Sequence, residues 1–238
     1  MSVGKTLTIA RRELGTYFNS PVAYIVISAY LVASGALYFL QVFLIKEATL
    51  RDFFAVQPLL FIFFAPAISM RLLAEEKRSG TVAMLFTLPL DDWDVVIGKF
   101  LAAMSVMGVG VLLTLAYPIT ISRLGPLDWG ATIAGYVGLL MMGGAYIGIG
   151  LMASSWTKNQ IVAFIIAFIG SFGLYLVGKL LPLMPASLAP MLRYISLDTH
   201  FANIARGVLD SRDIVYYLSI IGGCLFLAKQ SLDSRRWR

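Results

Sequence analysis

Six stretches of this chain carry no charged side chain, and they decide what it can fold into. They lie between Glu13 and Lys46, and over Phe53 to Met70, Phe100 to Ser122, Trp129 to Thr157, Asn159 to Gly178 and Ile214 to Ala228. A helix needs about 20 apolar residues to cross a hydrocarbon core. Five of the stretches reach or approach that length, and the sixth reaches the interface if Lys229 snorkels. Backbone groups cannot stay unpaired in lipid, so these stretches must be helices. Charged residues make up only 13% of the 238, against about 25% in a soluble domain. The expected fold is an all-α integral membrane protein of six transmembrane helices, built as one domain over residues 1–238.

The basic residues predict its orientation. With the spans numbered one to six, twelve lysines and arginines fall on the side of both termini and seven on the other. By the positive-inside rule residues 1–20, 71–99, 154–159 and 229–238 face the cytoplasm. The formal charge of +6 is then mostly topology signal plus a basic tail able to touch anionic lipid, and implies no nucleic acid. Arg11, Arg12 and Glu13 interrupt what would be the apolar region of a cleavable signal, so none is expected. Cys224, the single cysteine, excludes an intrachain disulfide and a cysteine metal cluster.

Three segments outside the spans carry pattern. Residues 3–18 place Val3, Leu7, Ala10, Leu14, Tyr17 and Phe18 at helical spacing, with Lys5, Arg12 and Thr16 on another face. That is an amphipathic helix for the membrane interface, ended by Asn19-Ser20-Pro21 before span one. In residues 71–99, Gly80 is expected to break the helix leaving span two. Thr81 caps a short apolar helix that Pro89 stops, and Asp91 with Asp94 forms a capping-box variant opening the next helix. The loop from 182 to 212 is long, apolar and broken by Pro182, Pro185 and Pro190, which suits short helices dipping into the outer leaflet. Within it Phe201, Ile204, Val208 and Leu209 are expected to bury one helical face, while Arg206 and Asp210, four apart, pair on another. In span four Gly144 and Gly148 form a GxxxG spacing, a signal for close helix packing.

Catalytic chemistry is not written in the chain. Gly4-Lys5-Thr6 resembles the end of a phosphate-binding loop but lacks the earlier glycine and the strand. His200, the only histidine, is expected to be structural or gating rather than a metal ligand or catalyst. The spans hold no internal charge; Gln41 is their most polar group, and Pro118 is a lone candidate for a break. Ion-coupled transporters usually place acids or broken helices at the midplane. Driving energy is therefore expected from outside the chain; Glu75, Glu76, Lys77 and Arg78, beside an apolar loop helix, are either where an external motor pushes or a solvated, positive-inside flank. A secondary transporter or channel working without ATP, or a scaffold for another complex, are the alternatives.

Two motifs carry a family resemblance. Glu76-Lys77-x-x-Gly80-Thr81-x-x-x-Leu85-x-x-x-Pro89 with Gly98-Lys99, and Ser154-Ser155-x-Thr157-Lys158-Asn159-Gln160, resemble ABC-2 type transporter permeases. Tyr17-Phe18-Asn19-Ser20-Pro21, and the stretch His200-Phe201, Asn203, Arg206-Gly207, Asp210, Arg212-Asp213 and Tyr216-Tyr217, are similar to the gliding-motility-associated branch. The resemblance implies a non-catalytic permease of the type V exporter fold that exports a substrate or transmits force, in a bacterial inner membrane. Two copies, or two related chains, would pair over two ATPase subunits, which hold the ATP and Mg. It makes residues 1–20 an elbow helix and 74–90 a coupling helix, with Glu75, Glu76, Lys77, Arg78, Gly80, Thr81, Leu85 and Lys158 as coupling residues. It makes 182–212 an extracytoplasmic gate, with His200, Phe201, Asn203, Arg206, Gly207, Asp210 and Arg212 facing the gate or a partner. That partner would be a membrane-anchored protein bearing a large extracytoplasmic domain.

Overall fold

The computed structural model describes residues 3–45, 49–80, 91–181, 185 and 189–233. Among them the regular structure is helical. Span one is α2 (Pro21–Ile45), preceded by α1 (Val3–Phe18). Span two is α3 (Arg51–Ser69), followed by the short α4 (Ala74–Ser79). Span three is α5 (Asp92–Leu113) continued by α6 (Ala116–Ser122), span four is α7 (Trp129–Trp156), and span five is α8 (Gln160–Leu180). Two short helices, α9 (Ala189–Ile195) and α10 (Leu197–Ala205), precede span six, α11 (Ser211–Asp233). All six spans are long and apolar enough to cross a membrane.

The glycine-rich α7 is the hub. Its most apolar window is 78% buried, against 17% for α8, because α3, α5, α8, α10 and α11 all pack on it. The GxxxG pair serves one of these contacts. A Cβ on Gly144 would lie 2.9 Å from Ile221 and one on Gly148 3.3 Å from Cys224, so both glycines bring α11 against α7.

Several breaks follow local chemistry. Asp91 and Asp94 form the expected capping box at the start of α5. Pro118 does break span three, at Thr114 and Leu115. A proline has no N–H for the carbonyl four residues earlier and clashes with it. That carbonyl, of Thr114, accepts instead from the Tyr117 amide at 2.9 Å and the Tyr136 hydroxyl at 3.0 Å.

Two expectations need correction. The helix leaving span two breaks at Met70–Leu73, before Gly80; Gly80, at φ 76°, ends α4 in the left-handed conformation. The expected short helix between its cap at Thr81 and its stop at Pro89 lies outside the described residues. On α1, Thr6, Ile9 and Tyr17 are buried, while Val3 and Leu7 are 78% and 65% exposed. The protein-facing stripe thus takes Tyr17 from the apolar stripe read from the sequence and leaves Val3 and Leu7 of that stripe facing outward. In the 182–212 loop, α10 stops at Ala205 and Gly207 turns the chain at φ 90°. Phe201 and Ile204 are buried against α7, but Val208 and Leu209 are exposed. Arg206 and Asp210 share no helical face. Asp210 instead accepts from the Arg212 amide at 2.9 Å, at the start of α11.

Candidate functional site

The candidate site grows from the start of α4. A helix begins with backbone N–H groups that its own turns cannot satisfy. For α4 a residue some eighty positions away supplies the acceptor. The Leu73 and Ala74 amides donate to Ser154 Oγ on α7 at 3.0 and 2.9 Å, and that hydroxyl donates to the Met70 carbonyl at 2.8 Å. One turn on, the Lys77 ammonium donates to the Ser155 carbonyl. Ser231 on α11 donates to the same carbonyl at 2.7 Å. Ser154-Ser155 is thus a socket into which α4 is bonded. The Asn159 side chain, just beyond, caps α8 by accepting from the Ile161 amide at 2.9 Å.

A buried ion-pair joint ties the same helix to α1 and α5. The Lys99 side chain is 1% exposed. Its ammonium lies 2.8 Å from Glu76 Oε1 on α4 and 3.2 Å from Glu13 Oε1 on α1. Arg12 closes the group, 3.1 Å from Glu13 and 3.8 Å from Glu76. Two acids and two bases balance, as buried charges must. Above this joint the Arg71 guanidinium stands 4.3 Å from the centre of the Tyr17 ring, and the Tyr17 hydroxyl donates to the Ile68 carbonyl at 2.5 Å. Burial pushes that hydroxyl well above its ordinary pKa, while Arg71 pulls it down. Further along α1, Thr6 donates to Asp94 Oδ1 at 2.9 Å. A Cβ on Gly98 would meet Ile9 at 2.8 Å, so α1 lies directly on the α5 backbone there.

The structure divides the expected coupling residues. Glu76 and Lys77 turn inward and hold α4 in place. Glu75, Arg78 and Gly80 face out from α4, and Lys158 is exposed in the turn between α7 and α8. Thr81 and Leu85 lie outside the described residues. Sequence reasoning missed Arg12, Glu13 and Lys99 as site residues because it read the two bases as topology charges and Glu13 as an interruption of a would-be signal. The available signal was Lys99, placed in a motif at the edge of an uncharged run.

The opposite end holds a second cluster. His200 on α10 is buried, with Nδ1 2.5 Å from Asp213 Oδ1 and Nε2 3.0 Å from the Tyr194 carbonyl. A carbonyl only accepts, so Nε2 donates there. The Tyr216 ring stacks on the imidazole at 4.0 Å, and Tyr194 meets it edge-on. Tyr216 and Tyr217 donate back to the Ile195 and Leu197 carbonyls. These bonds fasten α9 and α10 to α11. Phe201 packs into the bundle, while Asn203, Arg206, Gly207, Asp210 and Arg212 are exposed. Arg193, Arg206 and Arg212 line a cleft of about 500 Å³ beside His200.

Neither cluster presents a nucleophile aligned with a base, and among the described residues no group of three or more His, Cys, Asp or Glu is placed to hold a metal ion. Each bonds short peripheral helices to the ends of spans. A search of the curated proteins found no match. A family model described as ABC-2 family transporter protein matches residues 31–214, from within span one to the start of span six. With that match spread across the six-span bundle, the chain belongs to the ABC-2 family of transporter proteins.

Proposed function

We propose that this permease subunit of an ABC transporter receives force at α4 and residues 81–90 and passes it into the bundle, to export a substrate or drive a mechanical change across the membrane. The observation that carries this reading is the double attachment of α4. Ser154 and Lys77 bond it to α7, and Glu76 bonds it through Lys99 and Glu13 to α5 and α1. A push on α4 is therefore shared among three elements. The exposed Glu75, Arg78 and Lys158 supply charges for a groove on an ATPase subunit. Two ATPase subunits holding ATP and Mg, under two copies of the chain or a copy and a relative, complete the assembly. The basic asymmetry supports cytoplasmic termini in a bacterial inner membrane. Exposed Val3 and Leu7 support an interfacial role for α1.

Within the family, the His200 to Tyr217 stretch supports the gliding-motility-associated branch. Its α9–α10 unit is then an ordered extracytoplasmic lid and a docking surface for a partner with a large outer domain. The test is co-purification of the chain with the ATPase it is expressed beside. Glu75→Lys with Arg78→Glu should lower ATPase recovery while insertion stays normal. Glu76→Lys should insert yet weaken assembly or uncouple ATP turnover from function. Normal assembly and coupling in both variants would remove α4 from the pathway.

A further inference from the structure

Both ring nitrogens of His200 are held against acceptors, and this sets how many protons the cluster must contain. Nε2 lies 3.0 Å from the Tyr194 carbonyl of α9, which can only accept, so Nε2 carries a proton. Nδ1 lies 2.5 Å from Asp213 Oδ1 on α11. A bond there needs a second proton between nitrogen and oxygen. Either the imidazole holds it, as an imidazolium beside a carboxylate, or the carboxyl holds it, as an acid beside a neutral imidazole. The two forms contain the same number of protons. A neutral imidazole beside an ionised carboxylate contains one fewer, and it must set a lone pair against an acceptor at one of its two nitrogens.

The surroundings make the missing proton matter. His200 and Asp213 are 8% and 3% exposed. Asp213 Oδ2 is buried and has no hydrogen-bond partner among the described residues, so the carboxylate rests on His200. The Tyr216 ring is stacked on the imidazole, a position that suits a cation. Arg193 on α9, Arg206 and Asp210 in the turn after α10, and Arg212 on α11 line the same cleft of about 500 Å³ as the pair. On the other faces of α10, Lys179 of α8 holds Asp198 at 3.0 Å, and Arg51 and Asp52 stand at the start of α3. The span α7 brings no charged side chain between Trp129 and Trp156. The cleft gives water a route to the pair. Its three arginines make no ion pair among the described residues, so a freed carboxylate has cations to turn to.

We propose that His200 and Asp213 form a proton-held latch, which fastens α9 and α10 to α11 while the shared proton is bound and loosens them when it leaves. The loosened state binds one proton fewer, so raising the pH favours it, by at most about tenfold per pH unit. Histidine ordinarily changes charge between about pH 5 and pH 8. One proton governs three elements, because the Tyr194 carbonyl belongs to α9, His200 to α10 and Asp213 to α11. The bonds from Tyr216 and Tyr217 to the Ile195 and Leu197 carbonyls involve no titration in this range and remain. Release is therefore a loosening of the α9–α10 unit, not its unfolding. The regulatory consequence, a lid that eases as protons on its side become scarce, rests on the reading of α9–α10 as a lid; the latch itself does not.

The test is hydrogen–deuterium exchange of the full chain in detergent at about pH 5 and about pH 8, spanning the ordinary histidine range, with rates corrected for the intrinsic effect of pH. Amides of α10 should exchange about tenfold faster at the higher pH, while those of α7 stay within about twofold. His200→Ala should exchange fast at both. Asp213→Asn separates a latch from a merely structural pair. Its amide donates to Nδ1 while Nε2 still donates to Tyr194, so both bonds form without the extra proton. That variant should stay protected at both pH values. Two outcomes would overturn the proposal. One is a parent chain whose α10 protection is equal at both pH values or rises with pH. The other is an Asp213→Asn chain that keeps the parent's pH response. ATP turnover of the chain purified with its ATPase, over the same range, tests the lid reading separately. A pH response of turnover that Asp213→Asn removes ties the latch to the transport cycle. Loosening of α10 with no such response leaves the latch standing and removes α9–α10 as a lid.

Discussion

The two ends of this bundle handle charge in opposite ways. At the α4 end the lysine of the joint is spent inside the protein, and its arginine pairs from the surface. Lys99 is buried between Glu76 and Glu13, and Arg12 closes the ring. At the α10 end the inner bonds are made by His200, Asp213 and tyrosine hydroxyls. The arginines there, Arg51, Arg193, Arg206 and Arg212, are left facing clefts. A joint that closes its own charges is built to transmit motion between helices. A surface that leaves cations open is built to meet something else. The difference separates the two roles proposed for one chain: force entry at one end, recognition at the other.

The largest effect sharpens which end is which. In a Cys224→Ser background, Ser79→Cys and Ser211→Cys place one exposed thiol at each end. An impermeant thiol reagent on intact cells should label Ser211→Cys alone. Labelling at position 79 instead would invert the assignment of force entry and recognition.

Next in size is Lys99→Ala, which leaves Glu76 and Glu13 facing one another without their shared cation. Breaking a buried pair by removing one partner costs about 3–5 kcal/mol, so thermal unfolding in detergent should fall clearly and α1 should loosen from α5. Adding Glu76→Gln should recover part of the loss. A Lys99→Ala protein as stable as the parent would show that the joint bears no load.

The smallest effect belongs to Arg12→Ala. Its side chain is 59% exposed, and solvent screens its pairs, so the expected loss is below about 1 kcal/mol. A loss equal to that of Lys99→Ala would mean that the joint is more enclosed than its geometry indicates, and would blur the contrast between the two ends.

The sequence alone determined the six spans, the capping box at Asp91 and Asp94, the breaks at Pro21 and Pro118, and the presence of short helices before span six. Each depends on neighbours within a few residues, or on the length of an apolar run. Lipid enforces helix wherever such a run occurs, because the backbone has no other partner there. The tertiary structure alone decided that Lys99, Glu76 and Glu13 form one joint, and that Ser154 seats α4. These partners are separated by tens of residues along the chain, and each reads as an ordinary flanking charge or small polar residue until the helix ends are brought together. The bundle also decided which stripe of α1 is buried, since packing on Gly98 of α5 favours Thr6 and Ile9 over Val3 and Leu7. At the other end, a turn at Gly207 undid the expected pairing of Arg206 with Asp210. Burial on α7 kept Phe201 and Ile204 and released Val208 and Leu209. An apolar run carries its own transfer free energy wherever it lies, whereas a buried charge is stable only where a second element delivers its counter-ion.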